Sequence, residues 1–147
     1  MSWTPLQRQR LAQERLILGH YFPTLTWFNP TDPQSTFVEG PVNTNSGRYY
    51  SLRIHVPAAF PNRCPDMVVT APHPLTDHHG RRITEASASM HTLGLRDDRT
   101  RICHFKENLW VPNNTLYLVA LKGRIWLEAY EGHLRTGRPL DSFLPHM

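Results

Sequence analysis

The feature that most limits how this chain can fold is a change of hydrophobic period shortly after residue 19. Before it, Thr4-Pro5 offers an N-cap followed by proline at the first helical position. Leu6, Leu11, Leu16 and Ile17 form an apolar stripe that Gly19 is placed to end. After it, from about Leu25 to Val56, the runs TLTWF, STFVEG and YYSLRIHV are short, rich in β-branched and aromatic residues, and parted by Asn, Asp, Pro and Gly. They predict a three-strand antiparallel meander with a turn at Asn43 to Gly47. Leu52, Ile54 and Val56 alternate with Arg53 and His55, as in a strand buried on one face. Pro57, Pro61 and Pro65 keep the next loop extended, and DMVVT adds a fourth strand.

From Ala71 to Ala88 the chain is polar, carries His73, His78, His79 and Gly80 and has no apolar period. It reads as a surface loop or insertion covering about residues 71–90. Asn114 or Thr115 can cap a final helix in which Leu116, Val119, Ala120, Gly123, Leu127, Tyr130 and Leu134 keep helical spacing, with Gly137 as its stop. Helix, four-stranded antiparallel meander, irregular middle segment and helix together predict one α+β domain over residues 1–147, its helices on one face of the sheet. A chain of 147 residues is long enough for one core.

No apolar run approaches the ~20 residues that span a bilayer, and MSWTPLQRQRLAQERL lacks the apolar core of a signal peptide, so a cytoplasmic protein without membrane contact is expected. The two cysteines, Cys64 and Cys103, lie in unlike settings and read as reduced thiols. The net charge of +4 comes from 14 arginines and two lysines scattered along the chain. That scatter, and the usual core role of strand aromatics such as Trp27, Phe28, Phe37, Tyr49 and Tyr50, make nucleic-acid binding a minor reading. Histidines 73, 78, 79, 91 and 104 do not fall in any metal-binding spacing, so no metal is expected.

Several landmarks occur in a fixed order: Gly40-Pro41, Gly47-Arg48-Tyr49-Tyr50, Phe60-Pro61 with Pro65, His91, Ile102-Cys103, Trp110-Val111-Pro112, and a helix from about Thr115. In this order they resemble the ubiquitin-conjugating (UBC-like) family over roughly Leu6 to Gly137. The stretch IWLEAYEGHLRTG resembles its bacterial members, including those encoded beside antiphage nucleotidyltransferases in CBASS operons or in ubiquitin-like conjugation operons. The chain departs from the family in two places. The His-Pro-Asn of the eukaryotic enzymes is here His91-Thr92-Leu93, without the asparagine, and the stretch between Phe60-Pro61 and Cys103 is longer than usual.

The resemblance implies that Cys103 holds a partner's C-terminal glycine as a thioester and passes it to an amine. The partner would be a ubiquitin-like protein or an operon nucleotidyltransferase, loaded with the help of a separate activating enzyme where one is used. Neither a metal nor an organic cofactor is implied. Sulfur suits the task because it is both a strong nucleophile and a good leaving group. Arg99, Arg101, His104 and Lys106 would favour the thiolate if they face it. His91, at the family's histidine position, leads as oxyanion donor, followed by the amides near His104 and by Asn113 or Asn114. Trp110 and Pro112 would anchor the segment, and Asp97, Asp98 and Glu107 could polarise the amine. Cys64, between Arg63 and Pro65, reads as a packing residue. The alternative from another class is a non-catalytic adaptor of the same fold.

Overall fold

A computed structural model describes residues 2–144; the ends of the span expected for the domain, residue 1 and residues 145–147, lie outside it. Helix α1 (Pro5–Tyr21) opens with a capping box, in which the Thr4 hydroxyl accepts from Gln7 N–H at 3.2 Å and the Gln7 side chain accepts from Thr4 N–H at 3.0 Å. Gly19 does not end it. The helix continues to Tyr21, and Pro23 follows directly after its cap.

The expected apolar stripe is also corrected. Leu6 and Leu16 are 78% and 77% exposed, while the buried face is Leu11, Glu14 and Leu18. The reason is the role of Glu14. Its carboxylate accepts the N–H of Leu116 at 2.6 Å, capping a second helix from outside. Arg10 binds the same carboxylate at 2.8 Å and donates to the carbonyls of Pro112 at 2.6 Å and Asn114 at 2.7 Å.

The four expected strands are present: β1 (Thr26–Phe28), β2 (Phe37–Asn43), β3 (Tyr49–His55) and β4 (Asp66–Ala71). They form part of a larger sheet. The chain adds β5 (Ala86–Ser87), β6 (Thr92–Arg96) and β7 (Arg99–Ile102), giving a seven-stranded antiparallel sheet in the order β1-β2-β3-β4-β7-β6-β5. The stretch read as irregular is therefore in part a β6–β7 hairpin. Its two turn residues, Asp97 and Asp98, both adopt positive φ, at 52° and 63°, as a tight two-residue hairpin turn requires. A register shift between Thr92 and Leu95 is accommodated at Gly94, with φ 93°.

The histidine-rich stretch is likewise not a free loop. Leu75 and Ile83 are buried, Ile83 N–H donates to Leu75 O at 2.9 Å, and Thr76 pairs with Arg82. His78 fastens it to helix α2 (Leu116–Thr136): its N–H donates to His133 Nε2 at 3.0 Å, and its ring meets Leu134 O at 2.8 Å. Thr115 caps α2, and Gly137 ends it with φ 76°.

Gly40 and Gly123 allow two close approaches. A Cβ on Gly40 would collide with the Thr24 carbonyl, which crosses β2 there. One on Gly123 would lie 2.6 Å from Met67 Sδ, because α2 packs tightly on the sheet face that carries Leu52 and Met67. The buried apolar residues form one core between that face and the helices. Among the described residues no helix is long and apolar enough to cross a membrane.

Glu14→Ala removes a buried acceptor and leaves Leu116 N–H and Arg10 without it. Urea denaturation is expected to show a loss of about 2 kcal/mol, with a smaller loss for Glu14→Gln, which keeps an acceptor.

Candidate active site

Cys103 follows the last residue of β7 and is half-buried. Its N–H continues the sheet pattern by donating to the carbonyl of His91 at 2.8 Å. The same carbonyl accepts from the indole N–H of Trp126 at 3.0 Å, so one backbone oxygen ties the cysteine to the middle of α2. His91 holds this position in a left-handed conformation, φ 54°, and its ring is engaged by Asp141 at 2.9 Å. The backbone of Asp141 is tied in turn to Ser89 O at 2.8 Å. His91 thus serves the cysteine through its carbonyl, while its ring pins the segment after α2.

The thiol of Cys103 points to Phe105 O at 4.0 Å. Burial raises its proton affinity above that of an ordinary cysteine, and the positive charges of Lys106 and Lys122 oppose the rise. These are the only two lysines in the chain. The ammonium of Lys122, on α2, sits 3.7 Å from the centre of the Phe105 ring and has no ion-pair partner among the described residues. Burial lowers its own proton affinity, which a nearby thiolate would raise again. Lys122 and Phe105 are the residues that sequence reasoning missed. Lys122 lies 19 positions beyond the cysteine and only the fold brings it back, so no local signal could have found it.

Of the cations expected to serve the sulfur, Lys106 does so, while Arg99, Arg101 and His104 are committed elsewhere. Arg101 donates to Leu93 O at 2.8 Å and faces Asp66, and Arg99 donates to Asp97 O at 3.1 Å. The alternation of β7 sends Arg101 to the sheet face opposite Ile102. His104 turns inward, where its Nε2 lies 3.5 Å from Cys64 Sγ. Burial holds its imidazole near 4, so it is neutral and offers the Cys103 thiolate no charge. Cys64 is only 8% exposed and its thiol is pushed up to about 12. Cys64 and His104 are therefore a neutral buried pair, although a cysteine beside a histidine would suggest a nucleophile and its base.

Trp110 is buried, donates to Pro61 O at 2.8 Å and meets Phe105 edge-on at 5.2 Å. Pro112 is held through its carbonyl by Arg10, as is Asn114. Asn113 is exposed, with no side-chain hydrogen bond among the described residues. Asp98 is bound by Arg82 at 2.7 Å and Asp97 lies 3.8 Å from His55, at the far end of the hairpin. Among the described residues no group of three or more His, Cys, Asp or Glu is arranged to hold a metal ion.

Alkylation at neutral pH is expected to reach Cys103 before Cys64, read by peptide mass mapping, and to accelerate as pH rises. Lys122→Met should shift the Cys103 rate profile to higher pH, because an ammonium that favours the thiolate is gone. His104 gives a second expectation. The unfolded imidazole titrates near 6.5 and the folded one near 4, so the unfolded chain binds more protons between these values. Stability present above about pH 6.5 should fall as pH drops toward 4, by on the order of 3 kcal/mol. His104→Asn should flatten part of that slope in urea titrations.

Compared with known proteins, the chain matches no family model, no curated protein and no solved structure, which leaves the chemistry around Cys103 as the ground for a function.

Proposed function

We propose that the chain is a ubiquitin-conjugating-type enzyme, a UBC-like domain with an enlarged sheet that carries the C-terminal glycine of a partner protein on Cys103. The observation that carries the reading is the contrast between the two thiols: Cys103 is half-buried with both lysines of the chain acting on it, and Cys64 is buried beside a neutral imidazole. The ordered landmarks support it. Gly40 lies where the chain crosses β2, Trp110 anchors the segment after the cysteine, and α2 starts just beyond it.

In this reading the Cys103 thiolate attacks the activated carbonyl of the partner's terminal glycine, and the activating group leaves with the C–O or C–S bond pair. An acceptor amine then attacks the thioester carbonyl. The tetrahedral intermediate collapses to an amide, and the thiolate departs as the amine loses its proton to solvent or a base. Negative charge on the intermediate falls near the ammonium groups of Lys106 and Lys122, which serve where the family's asparagine is absent. His91 is a positioning residue, acting through its carbonyl on the Cys103 amide. The partner is a ubiquitin-like protein or an operon nucleotidyltransferase ending in glycine, and ATP is spent by a separate activating enzyme. The setting is bacterial antiphage defence of the CBASS kind, in the cytoplasm.

The rise that burial imposes on the Cys103 thiol favours a second reading, a non-catalytic adaptor of the same fold. Co-expression with genomic neighbours followed by a non-reducing gel separates the two. A conjugating enzyme gives a thiol-sensitive adduct that disappears in Cys103→Ala, becomes thiol-resistant in Cys103→Ser and persists in Cys64→Ala. Complexes that form equally well with Cys103→Ala, and never covalently, establish the adaptor. His91→Ala keeps the carbonyl and removes only the ring contact with Asp141, so loading or transfer should slow while the fold remains intact; an unchanged rate removes the ring, though not the carbonyl, from the machinery.

A further inference from the structure

The face of the sheet turned away from the helices holds a cavity of about 470 Å³ near the β3–β4 end. It is lined by Arg63 from the β3–β4 loop, Arg96 from β6, Arg101 from β7, His55 from β3, and the carboxylates Asp66 and Glu107. Its volume lies in the range of small-molecule sites. Three guanidiniums meet two carboxylates there, and their pairing is incomplete. Asp66 is shared, with Arg96 at 2.8 Å and Arg101 at 3.5 Å, while Arg63 and Glu107 have no ion pair among the described residues.

Two nitrogens on residues that line the cavity, Arg101 Nε and His55 Nε2, are buried without a hydrogen-bond partner. Such groups are rare in folded proteins. Asp97, at 3.8 Å, is too far to satisfy His55. The remaining wall includes Pro33, Val56, Pro57 and Ala58, an apolar flank beside the charged end.

We propose that this cavity is a binding site for a small phosphomonoester with an apolar body. A phosphate monoester brings nearly two negative charges and three acceptor oxygens, which suit converging guanidinium forks better than one carboxylate does. Its apolar portion would lie along Pro57 and Ala58. The site is separate from the Cys103 thiol and stands whether or not that thiol carries an acyl group.

Binding has a built-in reporter. His55 is held near 4, first by burial and then by Arg96 and Arg53, against the opposing Asp97 and Asp66. A dianion in the cavity counters Arg96, which lines it, and makes the imidazolium easier to form, so its titration should move up.

The test is to titrate the full chain with phenyl phosphate, following the His55 imidazole by NMR. Saturable binding, a rise in the His55 midpoint and an affinity loss of about tenfold or more in Arg63→Gln support the site. Arg63 is an exposed loop residue, so this variant folds even if Arg101→Gln does not. Arg135→Gln, at the end of α2, should bind as the unaltered chain does. A response that does not saturate, or one equal in Arg63→Gln and Arg135→Gln, means diffuse ion association and overturns the proposal.

Discussion

The close seating of α2 on the inner face of the sheet is the constraint from which the rest of the structure follows. Gly123 lets the helix approach Met67 and Leu52 to a distance that a side chain would forbid. That approach places Trp126 within hydrogen-bond reach of His91 O and sets Lys122 over Phe105. It also presents the helix start to Glu14 of α1 and the helix end to the histidine-rich loop. The cysteine sits between these attachments, with its amide locked to the sheet and its sulfur left to an irregular segment. Backbone rigidity and side-chain access are thereby obtained at the same residue.

The electrostatics divide the two thiols by depth rather than by neighbouring sequence. Near Cys64, burial dominates and drives thiol and imidazole alike to their neutral forms. Near Cys103, burial is partial and two ammonium groups oppose it. The arginines, seven times as numerous as the lysines, are mostly occupied elsewhere. Arg10 holds the loop before α2, Arg53 pairs with Glu39 at 3.0 Å, and Arg96 and Arg101 converge on Asp66. A guanidinium fork satisfies several acceptors at once, which suits it to fastening strands and loops. The compact ammonium of lysine remains for the sulfur.

The strands that were legible in the sequence are those whose alternation matches burial. Leu52, Ile54 and Val56 point inward and are read at once. The β6–β7 hairpin hides its pattern because its inward residues include Thr92 and Thr100, whose hydroxyls bind the Glu85 and Ile83 carbonyls, while Leu93 and Leu95 face out. Its Asp-Asp turn lacks the glycine that usually marks such a hairpin. The first helix misleads in a similar way, since a carboxylate at Glu14 occupies its buried face and leucines occupy its exposed one.

From the sequence alone came the class of the fold, the two helices, the first four strands, the N-cap of the first helix and the thiol worth watching. These depend on local period, capping and turn chemistry, which a short window contains. The tertiary structure decided the size of the sheet, the inward turn of His104, the use of the His91 carbonyl and the position of Lys122 beside the cysteine. Each of these depends on which distant segment fills the space around a residue, and packing across the core, rather than spacing along the chain, sets that.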